Sequence, residues 1–169
     1  MKPLLAVYSE SLKLKLISKE EVISTADWII STEHEPDPYF TRLSHSRNLN
    51  ELLAALNSIT LPDNILLARA VFGRAYFQID TDKTDVEMAL SILRKFVHRK
   101  DFTTYEANEI QYIIKEGGFF RNPLRKKLQT ELKDRIKAFF GMYKDFRFYH
   151  HRKWDEINLK IVKGLSLKN

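Results

Sequence analysis

The chain has 169 residues, a net charge of +6 and no cysteine. The absence of cysteine excludes disulfides, thiolate metal sites and a cysteine nucleophile, and no apolar run approaches the roughly 20 residues that a membrane-spanning helix needs. The 44% hydrophobic content is ordinary for a globular protein, so we expect a single domain, residues 1–169, located in the cytoplasm.

The charge is unevenly placed along the chain. Residues 1–85 carry nine Lys/Arg and twelve Asp/Glu, whereas residues 86–169 carry nineteen and ten. Such an excess in one half is typical of a protein that meets an anionic partner, or of a basic patch that pairs with an acidic patch elsewhere in the same chain. A solvated lysine face without a partner is the third interpretation.

Two amphipathic segments open the chain. Pro3–Lys15 places its large apolar side chains on one helix face. Ser18–Glu21 is a capping box, in which the serine accepts an amide hydrogen bond of the first turn and the glutamate reaches back, so it predicts the start of a second helix. Pro36 and Pro38 exclude the continuation of that helix, and Tyr39–Ser44 can form one or two further helical turns.

The segment that follows the second predicted helix is an acidic loop, Glu33–Asp37. We expect this loop to be exposed, and its carboxylates are the candidate residues for binding a basic protein partner: Glu33, Glu35 and Asp37. His34 adds a metal-ligand type to the loop, but the spacing matches no known site. We therefore predict no metal and no cofactor.

The middle of the chain predicts four more helices. Asn48–Glu51, Thr84–Glu87 and Thr103–Glu106 are capping boxes, and Pro62 begins the helix between the first two of them. Gly73 lies inside that helix, at a cost of about 1 kcal/mol relative to alanine. A glycine at such a place predicts the close approach of a neighbouring helix.

The longest predicted helix is Asn122–Tyr149. Asn122 fits the N-cap and Pro123 fits the first turn. At about 1.5 Å per residue this helix would be roughly 40 Å long. Its apolar residues recur at steps of three and four, the mark of one buried helix face: Leu124, Leu128, Leu132, Ile136, Phe139, Phe140, Tyr143 and Phe146.

Four lysines fall together on the opposite face of that predicted helix: Lys126, Lys133, Lys137 and Lys144. The next segment, Phe146–Trp154, interleaves basic residues with aromatic rings. Such a composition neutralises phosphates and stacks on unpaired bases, which makes these four lysines candidate anion-binding residues together with Arg147, His150, His151 and Arg152. The simpler interpretation places Phe146 and Trp154 in the core and the basic residues at a helix C-terminus.

A last helix, about Trp154–Lys163, ends at Gly164 in this interpretation. Four capping boxes and the lack of any alternating segment predict an all-α fold. We expect a compact bundle of seven to eight helices. An irregular helical-repeat array is the alternative, although no fixed sequence period indicates it.

Catalytic motifs are sparse. Glu106, Glu109 and Glu116 share one predicted helix, and a carboxylate cluster can bind Mg²⁺ or transfer protons, but the local pattern favours solvent-facing side chains. Helical RNases of the HEPN type carry an Arg followed, after four to six residues, by a His. Here Arg94 and Arg147 each precede a histidine with only three residues between. We therefore predict no enzymatic activity.

Four stretches within residues 16–59 resemble parts of known proteins: Leu16–Ile23, Ala26–Ile30, Glu35–Pro38 and Asn48–Leu53. This part of the chain resembles the N-terminal part of small bacterial all-helical proteins, some of which are similar to immunity proteins of polymorphic toxin systems. The resemblance implies a bacterial, non-enzymatic protein that binds and blocks a toxin, and it assigns no functional residue.

Two functions follow from these observations. The first is a protein-binding module of the toxin-immunity type, which uses the acidic loop. The second is a nucleic-acid-binding helical protein that uses the basic C-terminal face. Neither function calls for a membrane.

Overall fold

The computed structural model describes residues 2–58, 64–80, 85–118 and 126–166. All regular secondary structure in these ranges is helical, which confirms the all-α prediction. The described ranges hold nine α-helices, where seven or eight were predicted, and a 3₁₀ segment at Phe148–Lys153. The α-helices are α1 (Lys2–Lys13), α2 (Lys19–Thr32), α3 (Pro38–Ser44), α4 (Leu49–Asn57), α5 (Ile65–Asp80), α6 (Val86–Phe96), α7 (Thr104–Gly117), α8 (Lys126–Gly141) and α9 (Trp154–Ser166).

The chain divides into two compact units. Unit 1 comprises Met1–Asp63 with Phe148–Arg152, and unit 2 comprises Asn64–Arg147 with Lys153–Asn169. The chain therefore leaves unit 1, returns to it for five residues and leaves it again. The two units differ in net charge. Unit 1 has seven Lys/Arg and nine Asp/Glu, whereas unit 2 has twenty-one Lys/Arg and thirteen Asp/Glu. The single-domain organisation stays a prediction.

Unit 1 is built around α1. Its large apolar residues are buried as expected, and the intervening Ala6, Val7 and Ser9 are buried as well. A helix that is buried all round lies at the centre of a structure rather than on its surface. Helix α1 packs against α4, and α3 packs against both α2 and α4.

Unit 2 is built around α5. This helix packs against α6, α8 and α9, and its residues Leu66–Gly73 are all buried. Phe72 lies at the centre of an aromatic core, in which ring centroids are 5.4–5.9 Å from its own. The predicted close approach at Gly73 is confirmed, because a Cβ built there would lie 2.3 Å from the carbonyl oxygen of Tyr143.

The single long helix Asn122–Tyr149 is a wrong prediction. Helix α8 begins at Lys126 and ends at Gly141, and residues 122–125 lie outside the described ranges. Beyond Gly141 the backbone continues in tight turns, with Tyr143 N–H donating to Phe140 O and Phe146 N–H to Tyr143 O, both at 3.0 Å. Such turns keep the three-residue spacing of apolar side chains, so the pattern continued past the end of the helix.

The described core positions of α8 were correctly predicted. Leu132, Ile136 and Phe139 are 3%, 2% and 2% exposed, and the side chain of Leu128 lies outside the described residues.

Three local predictions were wrong. The N-cap of α6 is Asp85, whose carboxylate accepts from Met88 N–H at 2.7 Å, and Thr84 lies outside the described ranges. Leu49, which the helical spacing after Asn48 predicts to be buried, is exposed. Helix α9, predicted to end at Gly164, continues to Ser166.

No helix in the described part of the chain is both long and apolar enough to cross a membrane.

Candidate functional site

The acidic loop is positioned by the two helices that it joins. Ser18 caps the start of α2 by accepting from Glu21 N–H at 3.2 Å, and the N–H of Glu33 bonds to Ile29 O as α2 ends. Asp37 caps α3 by accepting from Tyr39 N–H at 3.1 Å. Two of the three predicted binding carboxylates therefore lie at helix ends, where their backbone direction is fixed.

The three carboxylates differ in exposure. Glu35 is exposed, as expected, and has no ion-pair partner among the described residues. Asp37 is half-buried. The side chain of Glu33 retains only 12% exposure, so the expectation of an exposed loop is wrong at this residue.

Glu33 is already paired within unit 1. A carboxylate oxygen of Glu33 lies 2.7 Å from a guanidinium nitrogen of Arg152, which comes from the 3₁₀ segment. The sequence had assigned these two residues to different partners, a basic protein and an anion. The structure brings them together, as expected where a basic patch meets an acidic patch of the same chain.

An aromatic contact lies on the same two elements. The rings of Trp28 and Tyr149 meet edge to face, with centroids 5.0 Å apart and planes at 90°. Trp28 is 39% exposed and Tyr149 is 56% exposed, so this pair faces solvent. We call the surface formed by Trp28 and Glu33, which Tyr149 and Arg152 contact, the aromatic–acidic surface.

Phe148 anchors the 3₁₀ segment. Its ring packs edge to face on Tyr8 of α1, with centroids 5.1 Å apart, and both rings are buried. Beyond it the helical winding is interrupted at His150, where φ is −106° and ψ is 15°. The segment therefore has a buried anchor at one end and exposed contacts beyond it.

The two histidines of this segment lie in different environments. His150 is exposed. His151 is half-buried, its Nδ1 lies 2.9 Å from Phe148 O, and its buried Nε2 has no hydrogen-bond partner among the described residues. Burial lowers the pKa of His151, and the nearby Glu33 carboxylate opposes this shift.

The predicted lysine stripe is not a feature of one helix. Lys133 and Lys137 are exposed on α8, but Lys144 lies beyond its end and the side chain of Lys126 is outside the described residues. Arg147 is exposed, with its guanidinium carbon 5.0 Å from the ring centroid of Phe77. The prediction of Phe146 and Trp154 as core residues is confirmed.

The sequence analysis missed a buried ion pair at the centre of unit 2. Arg69 and Glu106 retain 1% and 0% exposure, and two guanidinium nitrogens donate to the carboxylate at 2.8 and 2.7 Å. The Tyr143 hydroxyl and the Thr103 N–H each donate to the same carboxylate at 2.8 Å. The description of Glu106 as solvent-facing was therefore wrong.

A sequence signal for this pair existed. Arg69 is the single charged residue within an otherwise apolar run of α5, and a buried charge requires a partner of opposite sign. Burial by itself would raise the pKa of Glu106, but the hydrogen bonds from Arg69, Thr103 and Tyr143 bring it below its ordinary value. Burial beside this carboxylate raises the pKa of Tyr143.

A second polar cluster lies on the surface of unit 2, between α7 and α8. Arg135 donates to Glu109 at 2.5 and 2.8 Å, and its guanidinium carbon lies 3.8 Å from the ring centroid of Tyr112. Arg135 and Tyr112 border a cleft of about 110 Å³ that Glu116 also lines. Within the described residues, no three His, Asp or Glu side chains are grouped so that they could hold a metal ion.

Comparisons with known proteins add no relative. No family model matches the chain, and no curated protein or solved structure matches it.

Proposed function

We propose that this chain is a non-enzymatic protein-binding module, and that unit 1 binds a basic segment of its partner through the aromatic–acidic surface. The observation that carries the proposal is the exposed edge-to-face pair of Trp28 and Tyr149 beside the acidic loop. Tryptophan, tyrosine and arginine are enriched where protein interfaces hold most of their binding energy.

Charge complementarity favours a basic partner. Unit 1 has an excess of acidic residues although the whole chain is basic. Glu35 is exposed in the acidic loop, and an exposed tryptophan ring attracts a guanidinium or ammonium group by the cation–π interaction. A lysine- or arginine-bearing segment would therefore be steered to this side of unit 1 and held there.

One feature of unit 2 favours binding over catalysis. The Glu106 carboxylate, which could serve as an acid or base, has both oxygens engaged by buried donors.

The resemblance of residues 16–59 to small bacterial all-helical proteins, some of which are similar to toxin-immunity proteins, extends the proposal. In this extension the chain is bacterial and cytoplasmic, and the partner is a toxin that it binds and blocks. The acidic unit 1 would present the binding surface. Co-expression with a toxin encoded by a neighbouring gene would test the extension: the chain should restore growth, and the Glu35→Lys variant should restore it less well.

A binding measurement tests the central proposal. The Glu35→Lys variant should slow association with a partner protein captured by cross-linking, because exposed interface charges act mainly on the encounter rate. Glu156→Lys is the matched control, since Glu156 is an exposed glutamate in the first turn of α9 in unit 2. Equal association rates for the wild type and both variants would contradict binding through the acidic loop.

A nucleic-acid-binding function is the second candidate, and the excess of Lys/Arg in unit 2 favours it. Fluorescence anisotropy with labelled single-stranded and duplex DNA tests it. If the exposed lysines of α8 contact phosphates, the logarithm of the binding constant should fall with the logarithm of salt at a slope of about −0.9 per phosphate. Lys133→Gln with Lys137→Gln should then flatten the slope by about two units, while Lys13→Gln in unit 1 should leave it unchanged.

A further inference from the structure

We infer that the segment Phe148–Arg152 is a built-in occupant of the aromatic–acidic surface, and that the partner displaces it with a segment of the same chemistry, an aromatic residue three positions before an arginine. This inference rests on the protein-binding function proposed above. It adds the class of ligand and an autoinhibitory contact.

The contacts within unit 1 show how such a ligand binds. Tyr149 places its ring at 90° to Trp28, and Arg152 places a guanidinium nitrogen 2.7 Å from the Glu33 carboxylate. The two residues of the segment are three positions apart, on either side of the interruption at His150. A segment of a partner with this spacing can make both contacts at once.

The exposure of these contacts makes them replaceable. Tyr149 is 56% exposed and the Arg152 side chain is 72% exposed. The ion pair is open to water on its Arg152 side, where water and salt weaken the attraction between the two charges. The buried packing of Phe148 on Tyr8 is a separate contact from these two, so it would hold the segment to unit 1 after Tyr149 and Arg152 left the surface.

A partner must compete with the resident segment, which is part of the same chain as the aromatic–acidic surface. A group tethered by a short flexible connection has an effective concentration in the millimolar range. A free peptide that offers only the same two contacts would therefore compete poorly with the resident segment. Removal of the resident side chains should reveal the surface.

The test uses a peptide that copies residues 146–153, acetylated, amidated and labelled with fluorescein. Anisotropy titrations would compare the wild-type chain with the double variant Tyr149→Ala/Arg152→Ala. We expect the double variant to bind the peptide at least about tenfold more tightly than the wild type, because the competing occupant is gone. Adding Glu33→Lys to the double variant should abolish this gain.

Unit 2 offers a matched control. Tyr112 and Arg135 of unit 2 form an exposed tyrosine–arginine contact, and Arg135 also pairs with the Glu109 carboxylate. The variant Tyr112→Ala/Arg135→Ala should bind the peptide as weakly as the wild type. Far-UV circular dichroism of each variant would verify that its helix content is unchanged, and the single variant Arg152→Glu provides a second route to the open surface.

Two results would overturn the inference. One is equal, weak binding by the wild type and by both opened variants. The other is tight binding that persists after Glu33→Lys. Either result leaves the proposed function standing, since a partner could bind the exposed Trp28 ring and the acidic loop without displacing the resident segment. That function fails separately, if partner association is insensitive to Glu35→Lys.

Discussion

The Glu106 carboxylate shows how much one buried residue depends on its neighbours. It receives hydrogen bonds from Arg69, Thr103 and Tyr143, which belong to three separate parts of unit 2. Arg69 also donates to Asn158 of α9. A charge withdrawn from water is tolerated only when such partners replace its hydration, so these contacts fix how α5, α7 and α9 meet.

Replacement of Arg69 by methionine should be strongly destabilising. The substitution keeps much of the side-chain volume but leaves the Glu106 carboxylate buried without a counter-charge, which costs roughly 3–5 kcal/mol. Chemical denaturation measures this free energy of unfolding. The double variant Arg69→Met/Glu106→Gln should lose less than the sum of the single variants, and additive losses would show that the two residues do not interact.

The pKa of Glu106 predicts how stability depends on pH. Because this pKa lies below the ordinary value in the folded chain, the unfolded chain takes up the proton first as the pH falls, and acid favours unfolding. The contribution of Glu106 is complete above its unfolded pKa of about 4.5 and is lost as the pH falls through the folded value. Denaturation midpoints measured from pH 6 to pH 3 should therefore fall less steeply in Glu106→Gln.

At the scale of the secondary-structure elements, the close contact between α5 and the turn after α8 depends on one glycine. Gly73 of α5 lets the turn after α8 approach closely, since an added Cβ would lie 2.3 Å from Tyr143 O and 3.1 Å from the Cβ of Phe146. Tyr143 belongs to the aromatic core around Phe72, and Phe146 is buried against Trp154. This tertiary contact gives the mid-helix glycine a role that offsets its weak helix propensity.

A pair of glycine substitutions tests this explanation. Gly73→Ala should destabilise by about 1–3 kcal/mol, because a backbone atom must move to admit the new methyl group. Gly164→Ala is the control, since a Cβ at Gly164 in α9 meets nothing within 4 Å. It should stabilise by about 0.4–1 kcal/mol. Thermal unfolding of both variants measures the contrast, and equal shifts would show that Gly73 is not held by close packing.

At the scale of the whole molecule, each unit has one central helix. Helix α1 is buried along most of its length in unit 1, and α5 is buried from Leu66 to Gly73 in unit 2. Helix α9, in contrast, buries Trp154 and Leu165 near its two ends and leaves Leu159 exposed between them. Burial therefore identifies α1 and α5 as the helices that contribute most to the stability of their units.

Hydrogen exchange followed by mass spectrometry tests this ranking. Amides of α1 and α5 should exchange most slowly within their own units, because opening them exposes the largest apolar surface. Amides in the middle of α9 should exchange at least about tenfold faster than those of α5, since an opening free energy lower by about 1.4 kcal/mol already gives this ratio. Faster exchange in α5 than in α9 would contradict the assignment.

The sequence by itself determined the fold class, most helix starts and much of the core. Ser18, Asn48 and Thr103 cap helices as predicted, because a capping side chain bonds to an amide only three residues ahead. Leu132 and Ile136 are buried as predicted, because helical spacing places them on one face. These features depend on neighbours within one or two turns, which the sequence displays directly.

Only the tertiary structure decided the end of α8, the burial of Glu106 and the composition of the candidate site. The pairing of Glu33 with Arg152 and of Trp28 with Tyr149 joins residues that are far apart in the chain. The charge pattern of the sequence identified an acidic loop and a basic cluster, but it did not predict that the two would be in contact. Such contacts are stabilised by packing and electrostatics between distant segments, and no local pattern specifies which segments come together.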